Sequence, residues 1–157
     1  MTIASMASAE DADAFRRLNE AWISERYALE EADRKVLNDP FTIIVDPGGD
    51  VLIVRDECRV VGCVALVNVG GGIFELAKMT VVSDLRNRGI GRSLLEAAIE
   101  RARGLGARSL FLGTSVQLSA AVHLYEGLGF RRVPREQVGP MPYERADLFM
   151  ALALERT

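Results

Sequence analysis

The residues most suggestive of chemistry in this chain are three arginines and two glycines gathered at one turn. They lie in Val81-Val82-Ser83-Asp84-Leu85-Arg86-Asn87-Arg88-Gly89-Ile90-Gly91-Arg92, between an apolar run and an amphipathic helical stripe. At a helix start, unpaired backbone N–H groups and the positive end of the helix dipole face outward, and glycines remove side chains that would hold an anion away. Basic residues in a first helical turn oppose that dipole, so Arg86, Arg88 and Arg92 fit best if an arriving phosphate relieves the conflict. The competing explanation is a plain strand-to-helix turn with solvated arginines. The second suggestive residue is Glu75, the one acid inside IFELAKMTVV. A carboxylate in a strand buried on both faces is costly without a partner or a task. An ion pair with Lys78 or an arginine is the alternative to catalysis.

The elements that must position these groups follow from periodicity. Ser8 followed by Asp11 has the form of a capping box with Asp in place of Glu, and Phe15, Leu18, Ala21 and Trp22 then repeat at helical spacing. This predicts a first helix over about Glu10 to Glu25. A second, short helix is expected in ALEEADRKVLNDP from Ala32, Val36 and Leu37, ended by Asp39-Pro40. Both helices should precede the strands. FTIIV, VLIVR and VVGCVALVNV then read as strands, and the short turns between them imply antiparallel pairing. IFELAKMTVV is apolar at both parities, as a central strand would be. Ile90, Leu94, Leu95, Ala98, Ile99, Ala102 and Leu105 form one helical stripe closed by Gly104 and Gly106. SLFLGT is a strand, AAVHLYEGLG a helix, and FRRV and RADLFMALAL two last strands. Ile73 to Thr114 thus makes a βαβ unit with an expected right-handed connection, inside a mixed sheet flanked by helices.

Two familiar phosphate loops do not fit the turn. A Walker loop needs GxxxxGK[ST], but Gly91 is followed by Arg92-Ser93 and has no glycine five residues earlier. A Rossmann fingerprint needs a third glycine where Leu94 stands and an acid roughly 20 residues on, which SLFLGT lacks.

What does fit is a resemblance. Arg86-Asn87-Arg88-Gly89-Ile90-Gly91 resembles the R/Q-x-x-G-x-G/A signature of the GNAT superfamily, the general N-acetyltransferases, and Leu124-Tyr125-Glu126-Gly127-Leu128-Gly129-Phe130 resembles its second motif. The two occur in the right order, on strand-turn-helix and helix-turn-strand contexts, and the resemblance covers nearly the whole chain. It implies an α/β fold of mixed type: a mostly antiparallel central sheet of six to seven strands, about four flanking helices and one βαβ unit. It also implies a single N-acetyltransferase domain over residues 1–157. The implied reaction moves an acetyl group from acetyl-CoA to a primary amine of a small molecule or peptide by direct attack.

Residue by residue, the resemblance implies that the backbone of Arg86, Asn87, Arg88, Gly89, Ile90 and Gly91, with Arg92 and Ser93 beside it, binds the coenzyme A pyrophosphate. Met79, Thr80 and Val81 would receive the pantetheine arm as an added strand. Glu75, eleven residues before Arg86, stands where histone-acetylating relatives carry their base. Tyr125 would be the general acid, since a phenol with a pKa near 10 is protonated at neutral pH. Its spacing with Val122 and Leu128 also suits simple packing. One departure concerns the asparagine that many members carry seven residues before that tyrosine, because Leu118 stands there. Thr114, Ser115 or Ser119 are the available substitutes. Acceptor contacts are expected from the first helical pair (Glu25, Glu30, Glu31, Asp33) and from a late hairpin (Tyr143, Arg145, Asp147). Glu30, Tyr143 and Asp147 are the named candidates. His123, two residues from Tyr125, cannot share its helix face and reads as solvated.

Composition narrows the alternatives. With 49% hydrophobic and 26% charged residues the chain resembles neither a disordered nor a low-complexity sequence. A net charge of -3 provides no grip on nucleic acid or an anionic membrane, so a soluble amine acceptor in the cytoplasm is expected. Cys58 and Cys63, with His123 the single histidine, cannot assemble a four-ligand zinc site, and both read as reduced strand cysteines. LFMALAL could pair at a sheet edge to make a homodimer. A non-catalytic acyl-CoA-sensing module and a nucleotide-binding regulatory domain are the competing functions. Retention of both Glu75 and Tyr125 favours the enzyme.

Overall fold

The computed structural model describes residues 1–86, 88–138 and 146–154. Its centre is a sheet in the order β1-β2-β3-β4-β5-β7-β6. The strands are β1 (Thr2–Ser5), β2 (Asp50–Asp56), β3 (Arg59–Gly70), β4 (Ile73–Val81), β5 (Ser109–Thr114), β6 (Arg131–Val133) and β7 (Leu148–Ala153). The helices are α1 (Ala9–Arg26), α2 (Glu31–Asn38), α3 (Ile90–Gly104), α4 (Ser119–Gly127) and the one-turn α5 (Arg135–Val138). Only β4 and β5 pair in parallel, across the βαβ unit built around α3; the other pairings are antiparallel.

Each face of the sheet has its own core. Val64, Leu66, Leu76, Leu110 and Leu112 pack with Leu94, Leu95 and Ile99 of α3 on one side. On the other, Phe15 and Ile23 of α1 and Leu37 of α2 cover Ile53, Cys63 and Ala65. Alternation along β4 therefore sends Phe74 and Leu76 toward α3, and Glu75 toward the face that α1 and α2 cover. The capping box holds as read: the Asp11 N–H donates to Ser8 Oγ at 3.1 Å, and the Ser8 N–H donates to Asp11 Oδ2 at 3.3 Å.

Several expectations are corrected. FTIIV is not a strand but a wide helical turn, Phe41–Val45, in which the Asp46 N–H donates to the Phe41 carbonyl. The cause lies one step earlier: Pro40 adopts helical angles, the Asp39 side chain accepts from the Thr42 N–H, and this cap followed by proline starts a new turn. β-Branched composition yields because Ile44 reaches the core from that turn. The helical pair does not precede every strand, since Thr2–Ser5 forms an edge strand on β2, too short to show alternation. The buried stripe of α1 runs Asp11, Phe15, Asn19, Ile23, while Ala21 is exposed. Cys58 lies in the β2–β3 turn and is exposed; Cys63 alone is a buried strand cysteine. Finally, β7 is flanked by β5 and β6, so LFMALAL has no free edge for dimerisation.

Candidate active site

The site begins with a failure of pairing. β4 and β5 are matched at Ile73–Ser109, Phe74–Leu110 and Glu75–Phe111, and then part. Beyond that point β5 continues on β7 alone as far as Thr114, and β4 continues on β3 alone as far as Val81. The edge of β4 from Leu76 to Val81 is thus left without a strand partner on the β5 side, which is what an extended ligand needs in order to add as a strand.

A bulge in β4 accompanies the separation. Cys63 is opposite Thr80 and Ala65 opposite Ala77, so Lys78 and Met79 together face Val64. Lys78 takes a left-handed φ of 55°, a conformation unusual for a residue with a side chain. Its ammonium explains how the position is held. Lys78 Nζ lies 2.5 Å from Asp33 Oδ1 of α2, and the two side chains are 5% and 0% exposed. The Lys78 carbonyl also accepts from the Cys63 thiol at 3.7 Å. A buried pair of this kind is strongly destabilising to break, because either partner alone is an uncompensated charge.

A cleft of about 510 Å³ occupies the opened region. Glu75 to Val81 and Arg86 line it, with Thr114, Ser115 and Leu118 to Ala121 across from them, Leu124 and Tyr125 of α4, and Asn19, Trp22, Ile23, Arg26 and Tyr27 from the end of α1. Its size suits a small ligand. Glu75 and Tyr125 therefore share one cavity. Burial pushes the Glu75 carboxyl up to about 7, against the opposing pull of the Lys78 ammonium. Lys78 Nζ pairs with Asp33, and among the described residues Glu75 has no salt bridge of its own, so Lys78 acts on it as a nearby charge. Burial also raises the Tyr125 phenol to about 12, so it holds its proton throughout the neutral range. The ring stands 5.8 Å from that of buried Phe130, centroid to centroid, so Tyr125 packs as well as faces the cleft.

At the far end of β4 the turn leads into α3. Gly89 is its N-cap at φ 79°, a value that favours glycine, and no side chain caps the exposed N–H groups. The first turn carries no acid. The Arg86 Nε donates to the Val81 carbonyl at 3.0 Å, Arg88 is exposed, and Arg92 reaches only Glu96, at 3.8 Å. Ser93 N–H already donates to the Gly89 carbonyl. A methyl at Gly91 would meet Leu124 and Met79 at 3.7 Å, which is ordinary contact. These residues fit a coenzyme A pyrophosphate, and the free edge of Met79, Thr80 and Val81 fits its pantetheine arm.

Other candidates fall elsewhere. Glu30 is the N-cap of α2, its N–H donating to Asp33 Oδ2, and does not line the cleft. The Asp147 carboxylate accepts the Val116 N–H, tying β7 to the β5–α4 loop. Asn87, Tyr143 and Arg145 lie outside the described residues. His123 is exposed. Leu118 caps α4 without a side-chain bond, and its possible substitutes Thr114, Ser115 and Ser119 all line the cleft, Ser115 Oγ also accepting from the Gln117 N–H. Sequence reasoning missed Asn19, Trp22 and Arg26, although a polar Asn19 on the buried stripe was a visible signal. Its amide donates to the Phe15 carbonyl and contacts Cys63 Sγ.

Comparison with known proteins agrees with this geometry. Residues 10–130 match the acetyltransferase (GNAT) family. The chain is 30% identical over 119 residues to the uncharacterized N-acetyltransferase YjgM of Escherichia coli, covering 71% of each. It is 32% identical over 144 residues to the amino-acid acetyltransferase of Pseudomonas aeruginosa, covering 86% of this chain but 31% of that protein. Among solved structures, the acetyltransferase yncA of Salmonella typhimurium with its cofactor acetyl-CoA superposes with a TM-score of 0.73 at 25% identity, over 100% of this chain and 95% of that one. The splayed sheet, the uncapped helix start and these relatives together mean that the chain belongs to the GNAT acetyltransferase family.

Proposed function

We propose that this acetyltransferase moves the acetyl group of acetyl-CoA onto a primary amine by direct attack, with Glu75 as general base and Tyr125 as general acid. The observation that carries the reading is the unpaired β4 edge between Glu75 and the α3 N-terminus, with both ionisable groups in the cleft it opens. When bound, acetyl-CoA supplies a thioester as the acyl donor. The chain's own residues do the rest. Met79, Thr80 and Val81 receive the arm through backbone groups, and Arg86 to Ser93 meet the pyrophosphate with N–H groups and positive charge.

Glu75, pushed up to about 7, is partly ionised at neutral pH and a stronger base than an ordinary carboxylate, placed to take the proton of an ammonium acceptor directly or through a bridging water. Tyr125, still protonated, hydrogen-bonds or protonates the departing thiolate. No covalent enzyme intermediate is required: Cys63 is buried and its thiol is pushed up to about 12, so it is not a nucleophile. The chain acts as one domain, in the cytoplasm, on a soluble small-molecule or peptide amine rather than on nucleic acid or a membrane. Among the described residues no helix is long and apolar enough to cross a membrane.

The test is incubation with acetyl-CoA and a panel of amines, read by thiol release and by mass spectrometry of the acceptor. Acetylated amine with stoichiometric free coenzyme A is expected. Coenzyme A binding without transfer to any amine would contradict it.

A further inference from the structure

The acceptor end of the cleft has a polarity that bears on what it binds. Among the described residues Glu75 is its one lining carboxylate, and the acidic run at the α1–α2 junction, Glu25, Glu30 and Glu31, does not line it. An acceptor with several positive charges therefore finds no second carboxylate there. The lining cations are Arg26, Lys78 and Arg86. Lys78 is neutralised by Asp33, and Arg86 is bonded to the Val81 carbonyl where β4 leads into the α3 turn. Arg26 is the cation on the α1 wall.

Its setting is ordered. Asn19, Trp22, Ile23 and Arg26 follow i, i+3, i+4, i+7 spacing, so one stripe of α1 faces the cleft, with Arg26 about 10 Å along the axis from Asn19. The guanidinium carbon sits 4.6 Å from the Trp22 ring centroid, and the ring of Tyr27 lies 6.1 Å from that of Trp22. Arg26 Nη1 donates to the Trp22 carbonyl at 3.2 Å and to exposed Glu25 at 3.3 Å. Among the described residues, Nε and Nη2 have no acceptor. The side chain is 31% exposed, against 62% for Glu25. A guanidinium stacked on an aromatic face loses little freedom on binding, and its free fork matches a carboxylate.

We propose that the acceptor is a free amino acid, its amine delivered to Glu75 and its carboxylate held by Arg26. This deepens the acetyltransferase reading and rests on it. A cation and a carboxylate lining the same cleft would orient a molecule of the opposite polarity and disfavour polyamines.

The experiment compares each standard L-amino acid with its own amide, and with spermidine, as acceptors for wild type, Arg26→Ala and Arg26→Lys. The amide keeps the amine and the side chain and loses only the carboxylate charge. The expected result is that at least one amino acid is preferred over its amide by about 100-fold or more in kcat/KM. Arg26→Ala should reduce that preference by about 30-fold or more, acting through KM, and Arg26→Lys should restore part of it. Calorimetric titration of the same compounds into the coenzyme A complex provides a readout independent of turnover, with amino acids binding and amides not. Amides or spermidine preferred by the wild type, a preference unaltered by Arg26→Ala, or no amino acid binding to the coenzyme A complex would each overturn the proposal. Transfer to other amines in those cases would leave the acetyltransferase reading intact, whereas amino acid binding without transfer to any amine would contradict that reading and this proposal with it.

Discussion

On the β4–α3 side of the cleft the groups on offer are backbone atoms: the free edge of Met79 to Val81 and the uncapped N–H groups after Gly89. On the α1 side they are side chains: Trp22, Arg26 and Tyr27. Backbone recognition asks only for the right strand, turn and glycines, so it survives wide sequence change. Side-chain recognition depends on particular residues brought together across the fold. In the proposed reading the first half serves the acetyl donor, and the second selects the acceptor.

The largest effect is expected at the backbone half. Gly91→Glu places a carboxylate among the N–H groups proposed to meet the pyrophosphate, and its Cβ has ordinary room beside Leu124 and Met79. Affinity for coenzyme A should fall by about 100-fold or more with the fold retained, and Gly89→Glu should do the same with added strain at φ 79°. Calorimetry measures it, and unchanged affinity would place the phosphate site elsewhere.

These differences also explain what could be read from the sequence. Arg86 to Gly91 is a local pattern whose meaning depends on the helix immediately following it, and the α3 stripe from Ile90 to Ala102 is long enough for periodicity to decide. Glu75 stood out because it interrupts an apolar run. FTIIV misled because a cap and proline outweighed β-branched composition over only five residues. Asp33 and Lys78 are 45 residues apart, and nothing local to either announces the pair. Arg26 joins the cleft lining only when α1 is laid across the splayed strands.

Asp33→Asn sharpens the comparison by testing the joint between its halves. It leaves the Lys78 ammonium uncompensated in the interior and loosens the bulge in the unpaired stretch of β4. A loss of about 3–5 kcal/mol is expected in denaturant unfolding, together with reduced turnover in the protein that remains folded. Replacing both residues, as Asp33→Asn with Lys78→Met, should recover part of the stability without restoring the rate. A single variant as stable as wild type would mean that the pair does not hold the bulge.

A smaller effect is expected at Tyr125, which belongs to both halves by packing on Phe130 and facing the cleft. Tyr125→Phe keeps the ring and removes the hydroxyl. Turnover should drop by about tenfold, with Tm and acetyl-CoA affinity nearly unchanged. Acetylation at the parental rate would assign Tyr125 to packing and leave the thiolate to be protonated by water.

The proposed chemistry depends on Glu75 as a base whose proton affinity is raised by burial, and the pH–rate profile of the enzyme tests this most directly. A base must be ionised to act, so with a folded pKa of about 7 in place of the ordinary 4.5, kcat/KM should rise with pH through about 7. The same profile is measured for Glu75→Gln with saturating acetyl-CoA. The variant should bind acetyl-CoA normally, turn over about 100-fold more slowly at pH 7, and lack the inflection near 7. A variant within a few-fold of wild type that keeps the inflection would contradict it and move the titrating group to the acceptor amine.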